Sequence, residues 1–186
     1  MEIYNKRISN RQISENKISG MNYNSCTFSK IQLDTIDLRE CELEQCRFIE
    51  CSFRNIKLNF FKLIDCEFEN CLLQGINVSD IMFPCSFSLN KCKLRFVDFI
   101  GLRLQKTNFL LSSFNDCLFE ETSLQGSDFT GSDFISTEFR RSDLSHCDFS
   151  LTEGLDLNHE INKISSLKIP QDAGSRILKR MGIVLT

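Results

Sequence analysis

From Ile8 onward, a large apolar residue recurs at every fifth position of this 186-residue chain. The series runs Ile8, Ile13, Ile18, Tyr23, Phe28 and Leu33, and continues through Leu58, Leu63, Phe68, Leu73 and Val78 to Phe83. After a shift of one residue it resumes at Leu89 and passes through Phe109, Phe114, Phe119, Leu124, Phe129, Phe134, Phe139 and Leu144 to Phe149. A helix gathers residues on one face with a period of about 3.6 and a strand with a period of about 2, so neither collects a period of five. A chain that turns a corner every five residues does.

Taking the large residue as the centre of each five, a small residue stands two places before it. Cys26, Cys41, Cys46, Cys51, Cys66, Cys71, Cys92, Cys117 and Cys147 fill this slot in some repeats, and Thr107, Ser112, Thr122, Ser127, Ser132, Thr137 and Ser142 in others. A slot that accepts Cys, Ser or Thr selects for small volume, so these cysteines read as packing residues. Their spacing of five also lacks the paired pattern of zinc ligands. Only Cys85 falls outside the register. Centre and slot point inward, and the other three positions of each five face water. Gly20, Gly75, Gly101, Gly126 and Gly131 stand two places after a centre, where a tight corner favours a residue without Cβ. Four corners close a square coil of twenty residues. The 29 repeats then make about seven coils, a rod on the order of 35 Å long at ~4.8 Å per coil. One column of centres (Phe28, Phe48, Phe68, Leu89, Phe109, Phe129, Phe149) is nearly all Phe and predicts stacked rings.

The pattern also marks where the coil is irregular. Ile36, Ile56, Ile76 and Val97 fill the slot down one side, and Phe61, Ile81 and Leu102 down another, which predicts wider coils in the first half. Lys6, Arg11 and Asn16 occupy the earliest slots and cannot be buried unpaired, so residues 1–20 are expected to form an irregular cap. The repeat proper spans 21–151, with the slip at Phe83, Pro84 and Cys85 making a bulge or corner loop within 83–88. Residues 152–186 form a separate module. Pro170 fits a first helical position, Asp172 the first turn, Lys179 and Arg180 the last, and Gly182 the stop. This helix would close the end of the rod, whose strand edges need a cover. Ile177, Leu178 and Met181, with the tail Ile183, Val184 and Leu185, are more apolar than a lid requires and predict a homodimer interface.

Composition narrows the classes. The N-terminus is polar and no apolar run is long enough for a bilayer, so a soluble cytoplasmic protein with free thiols is expected. The net charge of −3 conceals a zone, residues 108–160, with 11 acids against Arg140 and Arg141. Asp116, Glu120, Glu121, Asp128, Asp133, Glu138, Asp143 and Asp148 step around all four sides as a belt. B-DNA carries about one negative charge per ~1.7 Å of axis, and a belted rod could stand in for it on a DNA-binding enzyme. Solvated acids with no partner are the other reading that charge alone leaves open. His146 and His159 lie near no nucleophile motif, and there is no phosphate loop or metal-ligand cluster, so neither enzyme activity nor a cofactor is expected. The aromatic residues lie inside and no basic patch accompanies them, which speaks against direct nucleic-acid binding.

Ser127-Asp128-Phe129-Thr130-Gly131, Ser132-Asp133-Phe134-Ile135-Ser136, Ser142-Asp143-Leu144-Ser145-His146 and Cys147-Asp148-Phe149-Ser150-Leu151 resemble the motif of the pentapeptide-repeat family. The resemblance implies an all-β solenoid, a right-handed quadrilateral β-helix. Longer stretches, among them Leu58–Phe68, Asp80–Cys85, Leu94–Phe99 and Ile177–Gly182, are similar to family members that protect bacterial DNA gyrase from poisons. That similarity implies immunity to the peptide toxin microcin B17 and to fluoroquinolones. It also implies gyrase as partner, topoisomerase IV as a further target, and a homodimer joined at the C-terminus. The alternative is a non-catalytic adaptor rod that binds another cytoplasmic protein.

Overall fold

Each side of the coil is a strand of about three residues whose middle residue is a buried centre, as in Thr27–Ser29, Arg47–Ile49 and Leu118–Glu120. Successive coils pair in parallel twenty residues apart, with Phe28 beside Phe48 and Leu33 beside Phe53. The protein, seen in a computed structural model that describes residues 2–9 and 20–185, is therefore a four-sided β-solenoid, closed by a single helix, α1 (Gln171–Arg180). We number its sides by their centres. The first carries Tyr23, Leu43 and Leu63, the second Phe28, Phe48 and Phe68, the third Leu33, Phe53 and Leu73, and the fourth Leu38, Leu58 and Val78. On the second side the rings stack as the pattern predicts. Phe28–Phe48 lie 4.6 Å and Phe129–Phe149 4.7 Å between centroids, with Leu89 interrupting the column.

The slot does more than accept small side chains. Ser132 Oγ donates to the Phe109 carbonyl at 2.6 Å and accepts the Ser112 N–H at 2.9 Å, so one hydroxyl ties its coil to two backbone groups of the preceding one. Thr122 and Ser142 donate in the same way to the carbonyls of Phe99 and Phe119, and Cys51 and Cys71 to those of Phe28 and Phe48. Cys, Ser and Thr share a donor as well as a size, and a buried carbonyl left without a partner is costly. All ten cysteines are free thiols.

The corners are less glycine-dependent than the sequence suggests. Two places after most centres the backbone is left-handed, and among the described residues 22 non-glycine residues hold it, from Asn5 (φ 51) to Ser166 (φ 53). Such a conformation costs an L-residue roughly 1–2 kcal/mol. Ladder bonds at the corners offset it, such as Lys30 N–H to Ile49 O at 3.0 Å and Leu111 N–H to Thr130 O at 3.1 Å.

The slip is a local matter. Phe61 pairs with Ile81 at the regular offset, whereas Phe68 pairs with Leu89, so one residue is absorbed between them. The expected inward centre Phe83 is 53% exposed, ahead of a cis peptide to Pro84. Cys85 is half-buried against the core, and the following slot is filled by buried Phe87. Pro84 has no N–H for the ladder, which restarts at Ser86 N–H to Leu63 O, 2.9 Å. In the neighbouring coils, where the slots hold Ile56, Phe61, Ile76 and Ile81, the interior contains an apolar cavity of about 50 Å³.

Both ends differ from expectation. Glu2–Tyr4 and Arg7–Ser9 are regular strands paired with Asn22–Asn24 and Thr27–Ser29, so the coil has begun by residue 2. Lys6 avoids burial because it lies exposed in the first coil. The predicted centres Ile13 and Ile18 and slot residues Arg11 and Asn16 lie outside the described residues. At the other end the ladder runs past 151: Asp143 pairs with Lys163 and Asp148 with Lys168. There the amide of Asn162 takes the slot role, accepting from Ser142 N–H and donating to Phe139 O. Gly154 occupies a centre position because a Cβ there would lie 2.0 Å from the Phe134 carbonyl oxygen.

Helix α1 begins one residue later than the sequence suggests, with Pro170 as its extended N-cap. Its end is as expected: Gly182 (φ 78) donates to Lys179 O and Ile183 to Leu178 O, a Schellman closure. Ala173 and Ile177 pack inward. Arg176 and Arg180 donate to the carbonyls of Leu155 and Leu157 at 2.7 and 2.8 Å, covering carbonyls of the last coil.

Candidate interaction surface

The outward positions flanking each centre form flat columns, one residue per coil, and the corners form ridges between them. The belt acids occupy both. Asp143 lies on the first side, Asp128 and Asp148 on the second, Asp133 on the third, and Glu120 and Glu138 on the fourth. Asp116 and Glu121 are corner residues with φ of 52°. The acids thus encircle the rod, but many are already partnered. Arg141 pairs with Glu120 and Glu121, Arg140 with Glu138, Lys163 with Asp143 and Lys168 with Asp148. Among the described residues no ion pair involves Asp116, Asp128 or Asp133.

Several acids also hold the backbone. Asp128, Asp143 and Asp148 each accept the N–H two residues on, from Thr130, Ser145 and Ser150 at 2.9, 3.1 and 2.9 Å. Lys168 and Ser150 hold the Asp148 carboxyl down at about 2. Asp143 also ends below its ordinary value: burial pushes it up, but bonds from Ser145 and Gln125 and the charge of Lys163 outweigh that. These three positions therefore carry turn geometry as well as charge.

The predicted dimer residues divide. Ile177 is 7% exposed and belongs to the packing beneath α1, and Leu178 is half-buried. Met181, Ile183, Val184 and Leu185 are exposed, Val184 to 84%. At the slip, Phe83 lies beneath the Arg103 guanidinium, 6.0 Å from its ring centroid, and Met82 is exposed beside it in sequence. Sequence reasoning missed the exposed apolar corners Phe60, Phe96, Leu111 and Leu151, because their position in the repeat reads simply as outward. Among the described residues no group of three or more His, Cys, Asp or Glu is placed to hold a metal, and no helix is long and apolar enough to cross a membrane.

The sequence matches a family model described as a pentapeptide repeat region over residues 10–78 and 84–149, and the break falls at the slip. The chain belongs to the pentapeptide-repeat family. Within that family it is 66% identical to Protein McbG of Escherichia coli, over 72% of this chain and 84% of McbG. Among solved structures it is similar to full-length QnrB1, a plasmid-mediated fluoroquinolone resistance protein. That match has 17% identity and a TM-score of 0.55, and covers 98% of this chain and all of that one. A trypsin-treated QnrB1 variant matches with 20% identity and a TM-score of 0.56, covering 100% and 98% of the two chains. At these identities QnrB1 shares the pentapeptide-repeat fold.

Proposed function

We propose that this pentapeptide-repeat protein guards bacterial DNA gyrase, and topoisomerase IV as a further target, against microcin B17 and fluoroquinolones. It would act in the cytoplasm as a homodimeric rod occupying the enzyme's DNA-binding surface, without catalysing a reaction. The observation that carries the reading is the 66% identity to Protein McbG of Escherichia coli. The stacked-ring core supports a rigid body, and the encircling acids support mimicry of a duplex. Because so many belt acids are internally paired, the mimicry falls mainly to Asp116, Asp128 and Asp133.

The test is gyrase supercoiling in the presence of microcin B17 or a fluoroquinolone, with and without the protein. Rescue is expected, and its absence at several-fold molar excess rejects the proposal. The pairing of the belt favours one second reading, an adaptor rod for another cytoplasmic protein. A pull-down that recovers a different protein and no gyrase subunit would support that reading.

A further inference from the structure

The third side, in its C-terminal half, differs from the others in what it leaves exposed. Its register places Lys93, Ser113, Asp133 and Glu153 in one column and Arg95, Asn115 and Ile135 in the next. The ridge leading into it carries Lys91, Leu111, Gly131 and Leu151, and the ridge leaving it carries Phe96, Asp116 and Ser136. Leu111, Ile135 and Leu151 are 54%, 57% and 80% exposed, and Phe96 is 59% exposed. Three of these four are also left-handed corners, where a large side chain stays more than half exposed and the backbone conformation costs energy. In this half the charges are segregated, and among the described residues none of them is in an ion pair. Lys91, Lys93 and Arg95 lie toward the middle of the rod, and Asp116, Asp133 and Glu153 toward the capped end. Elsewhere charges are commonly matched from coil to coil, as in Arg47–Glu67, Lys62–Glu42 and Lys168–Asp148.

We infer that this half of the third side is the docking surface for the protein partner, a surface that is itself basic with apolar contacts. The inference rests on the proposed function, in which the partner binds DNA and so presents a basic face. Unpaired acids beside exposed leucine and isoleucine suit such a surface, because the charges steer the encounter and the apolar groups supply burial. The basic end repels the same partner and so fixes the direction in which the rod lies. A second copy is a poorer occupant. Four coils at ~4.8 Å by one five-residue side at ~3.3 Å per residue make a patch of roughly 300 Å², well short of the ~800 Å² per partner that a stable dimer needs, whereas a larger partner can continue around both ridges.

The experiment is the gyrase protection assay with wild type and three variants, each checked for an unchanged melting temperature. Ile135→Ser with Leu151→Ser, and Asp133→Lys with Glu153→Lys, are expected to need at least ten-fold more protein for half-maximal protection. Phe60→Ser, an exposed apolar corner that does not border the third side, is expected to protect like wild type. Failure of wild type to protect would overturn the proposed function. Protection by wild type and by both third-side variants alike would overturn the docking surface alone. Should the charge-reversed variant lose its fold, Asp133→Asn with Glu153→Gln decides in the same assay, where a loss of protection supports the surface and full protection rejects it.

Discussion

At the residue scale, the slot position shows how little of a repeat is free. Ser132 is buried, and removing its hydroxyl strands the Phe109 carbonyl and the Ser112 N–H together. Ser132→Ala should therefore cost about 2 kcal/mol or more in urea unfolding, and Ser132→Cys, which keeps a weak donor, clearly less. Asp148 gives a pH signature with a definite sign. Its folded value of about 2 lies below the ordinary 3.8, so its contribution is present above that ordinary value and is lost as pH falls toward the folded one. Melting temperatures should fall through that window in wild type, and the Asp148→Asn variant should lack this part of the decline. The small size of the slot is plain in the sequence. Its donor role is not, because the acceptors of residues such as Ser132 and Thr122 lie 23 residues upstream, beyond any local pattern.

At the scale of elements, the lid depends on two arginines reaching back to the coil. Arg176→Ala and Arg180→Ala each uncover a carbonyl, of Leu155 and Leu157, and each should cost about 1–3 kcal/mol. Hydrogen exchange should quicken in the last coil and leave the stacked-phenylalanine coils unchanged. The helix itself was legible from Asp172, Lys179, Arg180 and Gly182, since capping and dipole signals are local. The extension of the ladder to Lys168 was not. Ile164 and Ile169 do keep the five-residue beat, but Gly154 and His159 stand at the two intervening centres and hide it. The slip was legible as an extra residue. That Phe83 would point outward was not, because periodicity reports which residues could face inward and Pro84 decides which one does.

At the scale of the whole molecule, the belt was visible as composition and its neutralisation was not. Asp148 meets Lys168 only because the coil brings residues twenty apart into contact. The exposed apolar end beyond α1 belongs to this scale as well. Sedimentation at micromolar concentration should show a dimer, and Met181→Asp with Val184→Asp should yield a monomer whose melting profile keeps the solenoid transition. An unaltered mass in that variant would reject the C-terminal interface. The in-register ladder carries one more consequence. Each coil touches only the coils above and below it, and every column repeats after twenty residues away from the slip. Duplicating or deleting one such unit should alter the rod by a single step of ~4.8 Å, while the kinds of contact along its walls and the lid at its end stay as they are. Reach is therefore set separately from recognition, and the rod can be lengthened like a ruler without rewriting what its sides display.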